Sequence, residues 1–121
     1  MPHIVLAGSP DIDRLANGLQ ATVYRWRRSV LKTTGWWRRQ DDAALLVEGV
    51  VVEYSRPLHP VALVTPHHAD TMVCLWPAVT VERTPAVQRW LALVAAALRR
   101  GGAGTLVRTN LPPELLEDLD L

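Results

Sequence analysis

A chain of 121 residues, 49% of them apolar and with a formal net charge of +1, is long enough for one domain with a real core. That composition excludes a disordered chain, and the near-zero charge excludes a general attraction to nucleic acid or acidic membranes. The single cysteine, Cys74, excludes an internal disulfide and points to a reducing compartment. The opening Met-Pro-His-Ile-Val has neither the basic region nor the long apolar segment of a signal peptide, and no apolar run is long enough to span a bilayer. The expectation is one soluble, cytoplasmic domain over 1–121, without membrane contact.

The apolar run HIVLA (3–7) reads as a buried strand ended by Gly8-Ser9-Pro10. Ser9 suits an N-cap and Pro10 a first helical position, and Ile12, Leu15, Ala16 and Leu19 follow helical spacing, which predicts a helix over 10–20. Residues 22–33 read as a second strand, with Tyr24, Trp26 and Val30 on one face and Val23 and Leu31 on the other. Arg27-Arg28 marks an exposed end or a bulge within it. Thr33-Thr34-Gly35 is a turn signal, and Trp36 begins a return arm, so 22–54 forms one long antiparallel hairpin.

Residues 55–66 stay open between a short helix capped by Ser55 and a strand over 61–64, because prolines at 57, 60 and 66 break any long element. A strand follows over 71–76. Thr84-Pro85 opens a helix over 85–100, with Val87, Trp90, Leu91, Val94, Ala97 and Leu98 as its apolar stripe and Gly101 as its terminator. Residues 105–109 suit an edge strand. Residues 110–121 form an acidic tail or short helix with Glu114, Glu117, Asp118 and Asp120.

This order predicts an α+β fold, a ferredoxin-like two-layer sandwich with both main helices on one face of an antiparallel sheet. The arm 43–54 conflicts with an open second face. Leu45, Val47 and Val51 point one way and Leu46, Val50 and Val52 the other, so both faces should be covered. Either Glu48-Gly49 breaks the arm with a bulge, or a second subunit covers it, which implies a homo-oligomer.

Three stretches resemble the CutA-type divalent-cation tolerance family: IVLAGSPDIDRLANGL near the start, GWWRRQDDAALLV in the hairpin, and MVCLWPAV followed by QRWL. The middle one resembles that family's Trp-basic-acidic-acidic turn before an aliphatic strand. The resemblance implies ferredoxin-like subunits joined as a trimer through long strands. It departs from the family's pattern in lacking a cysteine near Val23, and it implies no reaction.

Two constellations could carry chemistry. His67, His68 and Asp70 offer imidazole and carboxylate ligands suited to Zn or Cu, and equally make a polar turn before a strand. Between residues 24 and 40, Arg25, Arg27, Arg28, Lys32, Arg38 and Arg39 stand without an acid and are interleaved with Trp26, Trp36 and Trp37. Such a hairpin could hold single-stranded nucleic acid by stacking and phosphate contact, and tryptophans with arginine stems also belong in cores and subunit interfaces. The acidic tail could shield those cations, and its removal should leave stability unchanged. Cys74, alternating with Met72 and Trp76, reads as a core residue. The main functional expectation is a small homo-oligomer with a metal, small-ligand or regulatory role; the alternative is a nucleic-acid-binding module.

Overall fold

A computed structural model describes residues 1–41 and 43–121. Among these the chain order is β1 (His3–Leu6), α1 (Ile12–Gly18), β2 (Thr22–Trp26), β3 (Ser29–Arg38), β4 (Leu45–Glu53), β5 (Arg56–Leu58), β6 (Val61–His67), β7 (Asp70–Leu75), α2 (Pro85–Arg100) and β8 (Leu106–Thr109), followed by a 3-10 turn at Pro113–Leu115. All strands pair antiparallel in one eight-stranded curled sheet of order β2-β3-β4-β6-β7-β1-β8, with β5 paired to the end of β4. The fold is therefore α+β, with both helices on one face. The sheet has more strands than the expected sandwich, because the stretch read as one hairpin contains three strands and the open stretch 55–66 supplies two more.

The extra strands come from tight turns that carry no glycine. Trp26 pairs with Ser29, so Arg27-Arg28 is a complete two-residue loop rather than a bulge, with Arg27 at φ 55. Its effect is to exchange faces along the second arm. Tyr24 lies opposite Leu31 and Arg25 opposite Val30, so Val30 does not share a face with Tyr24 and Trp26. Glu53 pairs with Arg56 across Tyr54-Ser55, where both residues take positive φ (50 and 63), the geometry of a type I′ turn. His67 pairs with Asp70 across His68-Ala69, again with a positive φ at His68.

Thr33-Thr34-Gly35 is not a turn. It lies inside β3, where the register slips by one residue opposite Glu48-Gly49, and Thr34 donates its hydroxyl to the Glu48 carbonyl at 3.2 Å. The bulge thus sits on β3, across from the position at which it was expected on β4. The β3–β4 connection falls at 39–44, closed by Arg39 N–H to Ala44 O at 2.9 Å. Asp42, the last acid of the Trp-basic-acidic-acidic turn, lies outside the described residues. The length of β4 follows from its two partners on one side: residues 45–48 pair with β6, and 51–53 with β5.

Helix α2 fills the inner face. Trp90, Leu91, Val94 and Leu98 are buried against Leu31, Leu45, Val47, Val51, Val64 and Val73, and each fully buried aliphatic chain contributes about 1.5–3 kcal/mol. Gly49 makes room for the Trp90 indole, since a Cβ there would lie 2.4 Å from Cε2, and the indole N–H donates to Lys32 O at 3.0 Å. Helix α1 starts at Ile12 and not Pro10, because the Asp11 carboxylate, rather than Ser9, accepts the Arg14 N–H. The alternate β4 residues Leu46, Val50 and Val52 face outward, where neither helix reaches, and stay half-buried.

The tail is no loose appendage. Leu111 and Leu115 are buried, and Leu116, Leu119 and Leu121 pack against the core. Arg89 donates to the carbonyls of Leu115 and Glu117 at 3.1 and 2.7 Å, and Arg99 reaches the Asp120 carboxylate at 2.6 Å. The acidic segment is strapped along α2 and its arginines, not along the cations of 25–39. Buried leucines oppose the expectation that its removal is harmless.

Candidate anion-binding cleft

Two hairpin turns and a helix start meet at one corner of the sheet. A cleft of about 470 Å³ there is lined by Trp26, Arg27, Arg28 and Ser29 from the first turn, by Glu53, Tyr54 and Arg56 from the second, and by Thr84, Pro85 and Ala86 at the start of α2. The two turns converge because β3 and β4 are paired along their length, Val30 lying opposite Val52.

The lining is electropositive. The Arg27 guanidinium carbon lies 4.2 Å from the centroid of the Trp26 ring, a cation–π contact that orients the charge without neutralising it. Among the described residues no ion pair engages Arg27 or Arg28. Arg56 makes a two-pronged contact with Glu82 at 2.7 and 2.9 Å. That bond raises the arginine above its ordinary value and holds the Glu82 carboxyl below the ordinary carboxylate range. At the helix start, Thr84 Oγ1 accepts the Val87 N–H at 3.2 Å. Pro85 has no N–H, so Ala86 carries the first orphan donor of α2, with the positive end of the helix dipole behind it.

One carboxylate opposes these cations. Glu53 is only 8% exposed, yet it lines the cleft. Its ladder partner Arg56 gives its hydrogen bonds to Glu82 while remaining close enough to feel the Glu53 charge. Tyr54, at 90% exposure, stands at the rim on its left-handed backbone. Chemically, the corner can hold an anion between Arg27, Arg28 and the helix start, next to aromatic rings and a single hydrogen-bond acceptor.

The structure divides the basic hairpin. Arg27 and Arg28 line the cleft, whereas Arg25 and Lys32 lie on the outer face, opposite Val30 and Val50. Arg38 pairs with Asp13 of α1, and Arg39 pairs with Asp41 at 3.3 Å, at the far end of β3. Trp36 packs on the core, and Trp37, 54% exposed, lines a second cleft of about 380 Å³ with Leu46, Leu63 and Trp76 on the outer face. The six cations therefore do not form one continuous surface.

His67 and His68 lie edge to face, their ring centroids 4.5 Å apart. His67 Nε2 faces the Arg108 guanidinium at 3.2 Å, and the Asp70 carboxylate accepts the Gly8 N–H at 3.1 Å. Among the described residues no group of three or more His, Cys, Asp or Glu is arranged to hold a metal ion. Cys74 is buried, and loss of solvent pushes its thiol up, away from nucleophilic character.

Glu53, Tyr54, Arg56 and Ala86 were not singled out from the sequence. The cleft gathers three segments, 26–29, 53–56 and 84–86; the sequence marked Trp26, Arg27 and Arg28 as candidates and Thr84-Pro85 as a helix cap, whereas 53–56 carried no signal of a site. No described helix is long and apolar enough to cross a membrane. No protein-family model matches the chain, and no curated protein or solved structure matches it either.

Proposed function

We propose that the protein is a binding protein for a small anionic ligand, held in the cleft between the two hairpin turns and the start of α2. The observation that carries this reading is the convergence of Arg27 and Arg28, free of ion pairs among the described residues, with the Trp26 ring and a 16-residue helix's N-terminal end. Calorimetric titration with inorganic phosphate tests it. The wild type should bind with an affinity that weakens as salt rises, and the Arg27→Ala/Arg28→Ala double variant should bind at least about tenfold more weakly, since hydrogen bonds to charged groups are the strong ones. Equal binding by both proteins would sink the reading.

The outer face supports a second reading, self-association. Leu46, Leu63, Trp37 and Trp76 line an apolar cleft that neither helix covers, and such faces mark interaction sites. A trimer of ferredoxin-like subunits, as in the CutA-type family, is the assembly that the sequence resemblance implies. Light scattering should then return a multiple of the 13.4 kDa chain mass, and Leu46→Lys should return the monomer. A monomeric wild type at micromolar concentration would retire it.

A further inference from the structure

A carboxylate in the lining is what a plain anion site would not need. Glu53 ends β4 on the inner face, is 8% exposed, and lines the cleft beside Arg27 and Arg28. Its ladder partner Arg56 is held by Glu82 through two hydrogen bonds of 2.7 and 2.9 Å. Among the described residues no ion pair engages the Glu53 carboxylate. Among the described residues no side-chain hydrogen bond engages it either, and its oxygens are not among the atoms sealed from solvent, so it stands in the cleft as an open acceptor that a ligand's donors can reach. A bare anion brings a second negative charge close to the Glu53 carboxylate and leaves most of the lining's apolar and aromatic surface uncovered.

A ligand satisfying the whole lining has an anionic end for the arginines and the Ala86 N–H, and hydrogen-bond donors for Glu53. It also has a flat ring for the aromatic flank, since Tyr54 is 90% exposed at the rim and Trp26 lies in the wall. Aromatic faces stack on any nucleobase, and acidic side chains accept hydrogen bonds from ribose hydroxyls and base amino groups. A volume of about 470 Å³ lies within the usual range of small-molecule sites. Resting on the anion-binding reading above, we infer that the cleft takes a nucleoside monophosphate. Its phosphate sits on Arg27, Arg28 and the start of α2, and Glu53 acts as the specificity residue that accepts from the sugar or base.

Titration of the full chain with AMP, GMP, CMP and UMP, beside inorganic phosphate and a short oligothymidylate, tests this, with thermal melts to show that each variant is folded. At least one of the mononucleotides should bind about tenfold or more tightly than phosphate, the worth of one charge-assisted hydrogen bond or more. Glu53→Ala should move the two ligands in opposite directions, weakening the nucleotide about tenfold and tightening phosphate, because one negative charge is gone. Glu53→Gln, which keeps an acceptor oxygen, should retain part of the nucleotide preference. Nucleotides that bind no better than phosphate, or a Glu53→Ala variant that shifts both ligands alike, would overturn the inference and leave the anion reading intact. Tighter binding of the oligothymidylate than of any mononucleotide would overturn it in favour of a nucleic-acid strand. Failure of phosphate and nucleotides alike would remove both.

Discussion

Leu115 offers a sharp test of the strapped C-terminal segment. It is 3% exposed, and its own carbonyl accepts from Arg89 of α2. Leu115→Ala removes buried methyl groups and leaves a cavity, which typically costs about 2–5 kcal/mol. Domains have only about 5–15 kcal/mol in all. With a urea m value of about 1.5–2 kcal/mol/M, a loss of about 3 kcal/mol lowers the urea midpoint by about 1.5–2 M. Tryptophan fluorescence follows the transition, since Trp90 is buried and hydrogen-bonded in the native state. The exposed neighbour Glu114 is the control, and Glu114→Ala should shift stability by less than about 0.5 kcal/mol. If Leu115→Ala and Glu114→Ala have the same midpoint with unchanged m, the segment does not pack as described, and its acids would be free to meet other partners.

Gly49→Ala should be as harmful as a core substitution, because its Cβ would lie 2.5 Å from the Trp90 Nε1 and 2.6 Å from Lys32 O; near-ultraviolet circular dichroism should report the displaced indole, with a loss of about 1–3 kcal/mol. Cys74 should resist a thiol reagent in the folded protein and react at once in denaturant, since burial raises its thiol. Rapid labelling without unfolding would contradict the core assignment. Zinc or copper titration should give the same weak uptake by the wild type and by His67→Ala/His68→Ala, because Arg108 faces one imidazole and the Gly8 N–H takes one oxygen of the Asp70 carboxylate. Stoichiometric uptake lost in the double variant would show a metal site there.

Helix α2 and the α+β layering were legible because they rest on periodicity and capping, which are local. Val87, Trp90, Leu91, Val94 and Leu98 at helical spacing, opened by Thr84-Pro85, needed no tertiary context. The strand count was not legible, because three two-residue turns put Arg27, Tyr54, Ser55 and His68 in the left-handed region with neither glycine nor asparagine to announce it. Thr33-Thr34-Gly35 misled in the opposite sense, since a glycine there serves a bulge rather than a reversal. The basic hairpin was visible as composition, but faces follow from turns. Once Arg27-Arg28 is a loop, Arg25 and Lys32 fall on the outer face, and Arg38 falls near Asp13 of α1. Glu53 and Arg56 were invisible as a site because their meaning depends on α2, more than twenty-five residues later in the chain. The two-sided apolar character of β4 was read from alternation alone, and its outer residues Leu46, Val50 and Val52 are only half-buried within this chain.

Amide and indole chemical-shift mapping with inorganic phosphate addresses the central claim most directly, because it locates the anion without a substitution. The account predicts saturable shifts at the Ala86 and Val87 amides, at the Arg27–Arg28 and Tyr54–Ser55 turns and at the Trp26 indole, with residues 67–70 unmoved. Shifts confined to the outer face around Trp37 and Arg39, or none at all at low salt, would contradict it.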